Sequence, residues 1–79
     1  SPNPVTDRLS VRFTTKNRSS LLISITDITG REVYTQQAVM NLGSSILQVD
    51  MKSFPQGIYV IKAIDKENGS QYIEKIVKE

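Results

Sequence analysis

Apolar and polar side chains alternate along much of this chain, which is the pattern of β-strands that bury one face. The clearest case is residues 9–14, where Leu9, Val11 and Phe13 are each followed by a polar residue. Successive side chains of a strand point to opposite faces, so this stretch predicts a half-buried strand. Similar patterns predict strands at residues 21–28, 31–37, 47–52, 58–64 and 70–78, and no stretch shows a helical period.

The longest of these runs follows a corner with the sequence Phe54-Pro55-Gln56-Gly57. Pro55 fixes φ near about −65° and Gly57 can take a positive φ, so the chain reverses here before the strand begins. The following run is apolar on both faces, which is typical of a strand inside a sheet, and we expect it to be the central strand. We expect Tyr59 to be a buried ring whose hydroxyl reaches a backbone partner. A recognition surface at Gly57 and Tyr59 is the alternative.

Glycines also mark the other connections of the chain. Hairpin signatures occur at residues 27–30 and at the Asn68-Gly69 pair. We expect Gly30 to adopt the left-handed backbone conformation. Residues 38–44 have no clear period. We therefore expect an irregular crossing there, with Val39 or Leu42 turned inward.

Six to seven short strands without a helix describe an all-β fold, an immunoglobulin-like antiparallel β-sandwich. The chain lacks Cys and Trp, so the likeness to immunoglobulins would be in architecture alone. We expect residues 1–79 to form a single domain with a thin core, because chains of this size bury only about 60% of their unfolded surface. Pro2 and Pro4 restrict the backbone and make residues 1–4 a stiff lead-in. The chain begins with Ser1, not Met, so we expect a piece of a longer polypeptide.

The composition excludes most catalytic and metal chemistry. The chain has no Cys and no His, which removes thiol and imidazole nucleophiles, the usual general bases, zinc sites and disulfides. A sandwich of this size also has little room for a cleft holding two catalytic carboxylates. We therefore expect no enzyme activity, no metal and no cofactor. Four aspartates lack the spacing of a calcium loop, so we expect them at solvated turns and strand ends: Asp7, Asp27, Asp50 and Asp65.

Four short motifs follow one another along the chain. They are Pro2-Asn3-Pro4, Asp27-Ile28-Thr29-Gly30-Arg31-Glu32-Val33, Phe54-Pro55-Gln56-Gly57-Ile58-Tyr59-Val60 and Lys75-Ile76-Val77-Lys78. Each motif alone occurs in unrelated β domains. In this order and at this length, the chain resembles the type A C-terminal sorting domain of cargo proteins of the type IX (Por) secretion system of Bacteroidota. The structural motif residues carried by this resemblance are Pro2, Asn3, Pro4, Gly30, Pro55, Gly57 and Tyr59.

The resemblance implies a domain that acts as an address and not as a catalyst. It implies a seven-stranded sandwich at the C-terminus of an exported cargo protein, which crosses the periplasm and then the outer membrane to reach the cell surface or the extracellular space. The implied partners are the N-terminal cargo domain of the parent chain, an outer-membrane translocon or shuttle, and a sortase-like protease. This protease would cut at or upstream of Ser1 and attach the cargo to lipopolysaccharide. Glu79 departs from the basic tail of the family, which weakens charge-based recognition there.

The residues we expect the secretion machinery to recognise are Lys75, Ile76, Val77 and Lys78. A terminal strand can add to the edge of another sheet, with main-chain bonds supplying affinity and alternate side chains supplying specificity. The alternatives are that Ile76 and Val77 fill the core and that the two lysines protect an edge strand from aggregation. An edge-strand dimer is a further partner that such a fold allows.

Two other binding functions are open at this point. An immunoglobulin-like or fibronectin-like accessory module of a surface adhesin or glycan-processing enzyme would need exposed aromatic rings. A small barrel that binds RNA would need exposed aromatic rings interleaved with basic residues on one sheet face. The net charge is only +2 and the basic residues are scattered, which does not favour a nucleic-acid surface.

Overall fold

Six antiparallel strands make up the part of the chain that the structure, a computed structural model, describes, residues 6–79. They form a two-stranded sheet in the order β1-β4 and a four-stranded sheet in the order β3-β2-β5-β6. The predicted all-β sandwich is confirmed, and no helix is present in residues 6–79. The motif at Pro2, Asn3 and Pro4 lies outside the described residues. The strand bounds are β1 Arg8–Thr15, β2 Ser19–Asp27, β3 Glu32–Met40, β4 Gly43–Asp50, β5 Gly57–Asp65 and β6 Gln71–Lys78.

The core lies between the two sheets and is built from every second residue of the strands. Because side chains alternate across a strand, each strand sends one set of apolar residues inward. Fully burying one aliphatic side chain contributes about 1.5–3 kcal/mol relative to leaving it in water. The largest fully buried side chains come from both layers and are Leu9, Val11, Ile23, Ile25, Val49, Met51, Ile61 and Ile76.

Strand β5 is an inner strand of the larger sheet, as its two-sided apolar pattern predicts. It pairs with β2 on one side and with β6 on the other. In these ladders Ile61 lies opposite Ile25 of β2. The residues that β5 sends into the core are Tyr59, Ile61 and Ala63. The prediction of a central strand is confirmed: its two ladders place β2 and β6 on either side of it, and the ladder between β2 and β3 adds β3 at the far edge.

The corner before β5 has the geometry of the tyrosine corner found in immunoglobulin-like sandwiches. The Tyr59 hydroxyl donates a hydrogen bond to the Pro55 carbonyl oxygen at 2.7 Å. The Tyr59 ring is 5% exposed, and its centroid lies 5.7 Å from that of Phe54. Gly57 opens the strand with a φ of +154°. The prediction of a buried ring with a backbone partner is therefore confirmed, and so is the positive φ.

The β2–β3 hairpin is organised by the carboxylate of Asp27. Its Oδ1 accepts hydrogen bonds from the Thr29 hydroxyl at 2.6 Å, the Thr29 amide at 3.0 Å and the Arg31 amide at 3.1 Å. Gly30 has a φ of +87°, which confirms the left-handed turn glycine. The Thr29 hydroxyl, followed by the backbone amides and the charge of Arg31, lowers the pKa of Asp27 below its usual range.

The segment 38–44 differs from the irregular crossing expected from its sequence. Strand β3 continues to Met40, and β4 begins after a two-residue connection. The expectation that Val39 or Leu42 turns inward is wrong, because these side chains are 54% and 71% exposed. Register explains the difference. Ser19 of β2 lies opposite Met40, which places Met40 in the core and its neighbour Val39 on the outer face.

Replacing Gly57 with Val is expected to lower the free energy of unfolding by well over about 1 kcal/mol. A Cβ at this position would meet no atom within 4 Å, so the cost is backbone strain at the φ of +154° and not a steric clash. Urea denaturation of the two proteins measures the difference. Gln56→Val is the matched control, because Gln56 is exposed and has no positive φ. A Gly57→Val protein as stable as its parent would contradict this role.

The Asp27 carboxylate is expected to make stability depend on pH in the acid range. Its pKa is lower in the folded chain, so the stabilisation is present above the unfolded pKa, near about 4, and is lost as pH falls through the folded value. Asp27→Asn should therefore lower the melting temperature at pH 7. The difference in melting temperature between parent and variant should shrink when it is measured at successively lower pH values below about 4. Asp7→Asn, at an exposed carboxylate outside the hairpin, is the control. A difference that stays constant down to pH 2 would refute the linkage.

Candidate recognition surface

Strand β6, which carries the predicted recognition residues, lies at the edge of the four-stranded sheet. It pairs with β5 over its whole length, from Gly57 opposite Lys78 to Ile64 opposite Gln71. No other strand of residues 6–79 pairs with it. An edge strand is the element to which a partner's strand can add.

The four predicted recognition residues lie together on β6 but are divided between its two faces. Ile76 lies opposite Tyr59 and is 1% exposed, so it fills the core. Lys78 follows on the same face, largely buried, and its Nζ donates a hydrogen bond to the Glu79 carbonyl oxygen at 3.2 Å. Lys75 is exposed and Val77 is half-buried on the outer face. The core-filling role therefore applies to Ile76, and recognition of the strand stays a prediction.

Two aromatic side chains anchor the start of β6 to the opposite sheet. The Tyr72 ring contacts Phe13 of β1 edge-to-face, with centroids 5.5 Å apart and planes at 74°. The Tyr72 hydroxyl also donates a hydrogen bond to the carboxylate of Glu74, one inner position further along the strand. Together with Ile76, these contacts hold β6 against the core, so its outer side chains are presented from a fixed strand.

The outer face of β5 and β6 carries residues that the sequence analysis did not select as a site. Three successive cross-strand pairs lie there: Ile58 with Val77, Val60 with Lys75, and Lys62 with Ile73. Ile58 is 42% exposed and Ile73 is 60% exposed. The sequence signal for this surface was that residues 58–64 are apolar on both faces. One face enters the core, and in the described structure no second layer covers the other.

The carboxylates of Asp50 and Asp65 serve turns. Asp50 Oδ1 accepts a hydrogen bond from the Lys52 amide at 2.9 Å, and Asp65 Oδ1 accepts one from the Glu67 amide at 2.8 Å. An open cleft of 140 Å³ at one end of the sandwich has Asp65 as its one lining carboxylate. No group of three or more potential metal ligands comes together in the described part of the chain. Residues 6–79 also contain no helix capable of spanning a bilayer.

The positions of the aromatic rings disfavour both alternative binding functions, glycan binding and RNA binding. Phe13 and Tyr59 belong to the core, and the other three rings, those of Tyr34, Phe54 and Tyr72, are half-buried and pack against it. Glycan and RNA surfaces both use exposed rings as stacking platforms. None of the chain's five aromatic side chains is available as such a platform.

Comparison with known proteins gives one positive finding. A search of curated proteins finds no match. The family model described as the secretion system C-terminal sorting domain matches residues 2–79, which is nearly the whole chain. The match includes the corner before β5, the 27–30 hairpin and the edge strand β6. The chain therefore belongs to the family of C-terminal sorting domains that mark cargo proteins for type IX secretion.

Proposed function

We propose that this chain is read as an address by the outer-membrane translocon or shuttle of the type IX system after its cargo has reached the periplasm. A sortase-like protease then separates it from the cargo, which is attached at the cell surface. Family membership supports this proposal, because a type IX sorting signal directs export to the cell surface or the extracellular space. A sorting signal of this kind is not itself catalytic. Any enzyme activity belongs to the cargo.

The recognition element in this proposal is the edge strand β6, with Lys75, Ile76, Val77 and Lys78. The proposed mode of capture is strand addition, in which the main chain supplies affinity. Ile76 contributes by holding the strand against the core, since it is almost fully buried. Lys75 and Val77 lie on the outer face and offer side chains for contact. The proposal therefore divides the four residues into two that anchor the strand and two that a partner touches, with Lys78 among the anchors.

Fusing residues 1–79 to the C-terminus of a fluorescent reporter that carries an N-terminal signal peptide for export to the periplasm is expected to bring the reporter to the surface or the medium of a bacterium that has the type IX system. Protease accessibility of the reporter on intact cells measures this. The reporter alone and the fusion in a strain lacking the outer-membrane translocon are the controls. A fusion that stays inside the cell would refute the sorting function.

Recognition of β6 is tested better by substitution than by removing residues 70–79, because that removal would also take Tyr72 and Ile76 from the core. We expect Lys75→Ala to lower export several-fold. Lys52→Ala removes the same charge at an exposed position outside β6 and is the control. Equal export of both variants would contradict recognition through Lys75.

For self-association, we propose that an edge-strand dimer uses β3 or β4. Among the outer strands, β1 carries Arg8 and Arg12 and β6 carries two lysines, whereas β3 and β4 carry no basic residue. Basic side chains protect an edge from pairing. We expect sedimentation velocity at rising concentration to show a dimer that is weakened by Gln36→Lys in β3 or by Gln48→Lys in β4. A dimer that neither substitution changes, or a chain that stays monomeric, would count against it.

A further inference from the structure

Strand β3 is an edge of the larger sheet that carries no charge along most of its length. Of the described strands, only β2 pairs with it. No Lys, Arg, Asp or Glu occurs in residues 33–49, although these types make up 23% of the chain. Sheet edges are usually protected from pairing by charged side chains, by proline or by being very short. Strand β3 is nine residues long and has none of these protections over residues 33–40. The register shift in its ladder affects only its first residues.

The ladder with β2 shows which main-chain groups of β3 face away from the sheet. Successive residues of a strand direct their N–H and C=O groups to opposite sides. The Ser20 carbonyl accepts a hydrogen bond from the amide of Lys66, which follows β5, at 2.9 Å. The even-numbered residues of β2 therefore face β5, and the odd-numbered residues face β3. These lie opposite even-numbered residues of β3. Thr35, Gln37 and Val39 consequently direct their main-chain groups to the open side.

The apolar core also ends at β3. On β2 the inner residue Ile23 is fully buried. Its neighbours on the inner face of β3 are only half-buried, namely Tyr34, Gln36 and Ala38. A strand placed alongside β3 would cover these three side chains. The free edge at β4 offers less, because its inner residues Leu47 and Val49 are already buried.

We propose that β3 pairs with β3 of a second copy of this chain, antiparallel and about a twofold axis at Gln36. This inference rests on the self-association proposed above and deepens it by fixing the strand and the register. An axis at Gln36, the middle residue of Glu32–Met40, lets the whole strand pair. Each Thr35 then lies opposite Gln37 of the other copy, and their outward main-chain groups exchange hydrogen bonds. The two four-stranded sheets join into one continuous sheet.

The side chains at this register are compatible with those of an identical strand. Tyr34 lies opposite Ala38, which places a large ring beside a small side chain. Gln36 lies opposite Gln36 of the second copy. The Tyr34 hydroxyl donates a hydrogen bond to the Gln36 side-chain oxygen, so the amide N–H groups of Gln36 are left to donate across the axis. No charged side chain faces a like charge, because Glu32, the one charged residue of β3, lies opposite Met40.

Charges introduced at residue 36 test the twofold axis, because each substituted side chain meets its own copy. Gln36→Lys and Gln36→Glu are each expected to raise the dissociation constant of the dimer at least about tenfold, since like charges directly opposite destabilise a strand pair. An equimolar mixture of the two variants should associate at least as tightly as the parent chain. Sedimentation velocity measures association, and thermal melting shows that each variant folds. Gln48→Lys and Gln48→Glu on β4 are the controls and should leave the dimer unchanged.

Single cysteines test the register, because the chain has no other thiol. The main-chain groups of Gln36 face β2, so the two Gln36 residues form a non-hydrogen-bonded pair. Its Cα atoms lie about 4.5 Å apart, within the range of a disulfide. Gln36→Cys should therefore give a disulfide-linked dimer under mild oxidation. Gln37→Cys is the control, because its counterpart lies two residues out of register, more than about 7 Å away, which a disulfide cannot bridge.

A dimer that is cross-linked through Gln37→Cys and not through Gln36→Cys would overturn the register. Loss of the dimer with the Gln48 variants alone would move the interface to β4, which overturns this inference but keeps self-association. A parent chain that stays monomeric would remove both. Failure of the sorting function is a separate result, because β6 lies at the other end of the strand order and export of the reporter fusion tests it directly.

Discussion

The contact between the two sheets is the interaction on which the whole structure depends. The chain has no Cys for disulfides, so apolar burial between the layers has to hold it together. Ile23, Ile25 and Ile61 on the inner strands β2 and β5 are completely buried. A shift of one residue in the β2–β5 ladder would turn this apolar set toward solvent. The core therefore specifies the register of β5, and through its second ladder the register of β6.

This register also decides which residues of β6 a partner can reach. With Ile76 opposite Tyr59, the inner positions of β6 are committed to the core and the outer positions are displayed. The edge-to-face contact of Tyr72 with Phe13 supports the same arrangement from the other sheet. A strand that is fixed by its inner face suits a signal, because a binding partner then loses less affinity to ordering the strand.

A sorting signal needs a defined surface and no reactive group, and the chemistry of this chain agrees with that requirement. Its carboxylates at Asp27, Asp50 and Asp65 accept backbone hydrogen bonds in turns. The aromatic rings pack in or against the core. In the corner before β5, the Tyr59 hydroxyl donates a hydrogen bond to the Pro55 carbonyl oxygen. What is left for a partner is main-chain edge and the outer faces of the sheets.

The sequence by itself determined the all-β class, the alternation that places Leu9, Val11 and Phe13 inside, and the turns at Gly30 and Gly57, because these depend on local backbone preference and on the two-residue period of a strand. Tertiary structure decided what depends on distant pairing. The order β3-β2-β5-β6 and the burial of Met40 in place of Val39 follow from the register between strands, which no local pattern encodes. The pairing of Lys62 with Ile73 is a further example, because β5 and β6 bring these two residues together only when their ladder forms.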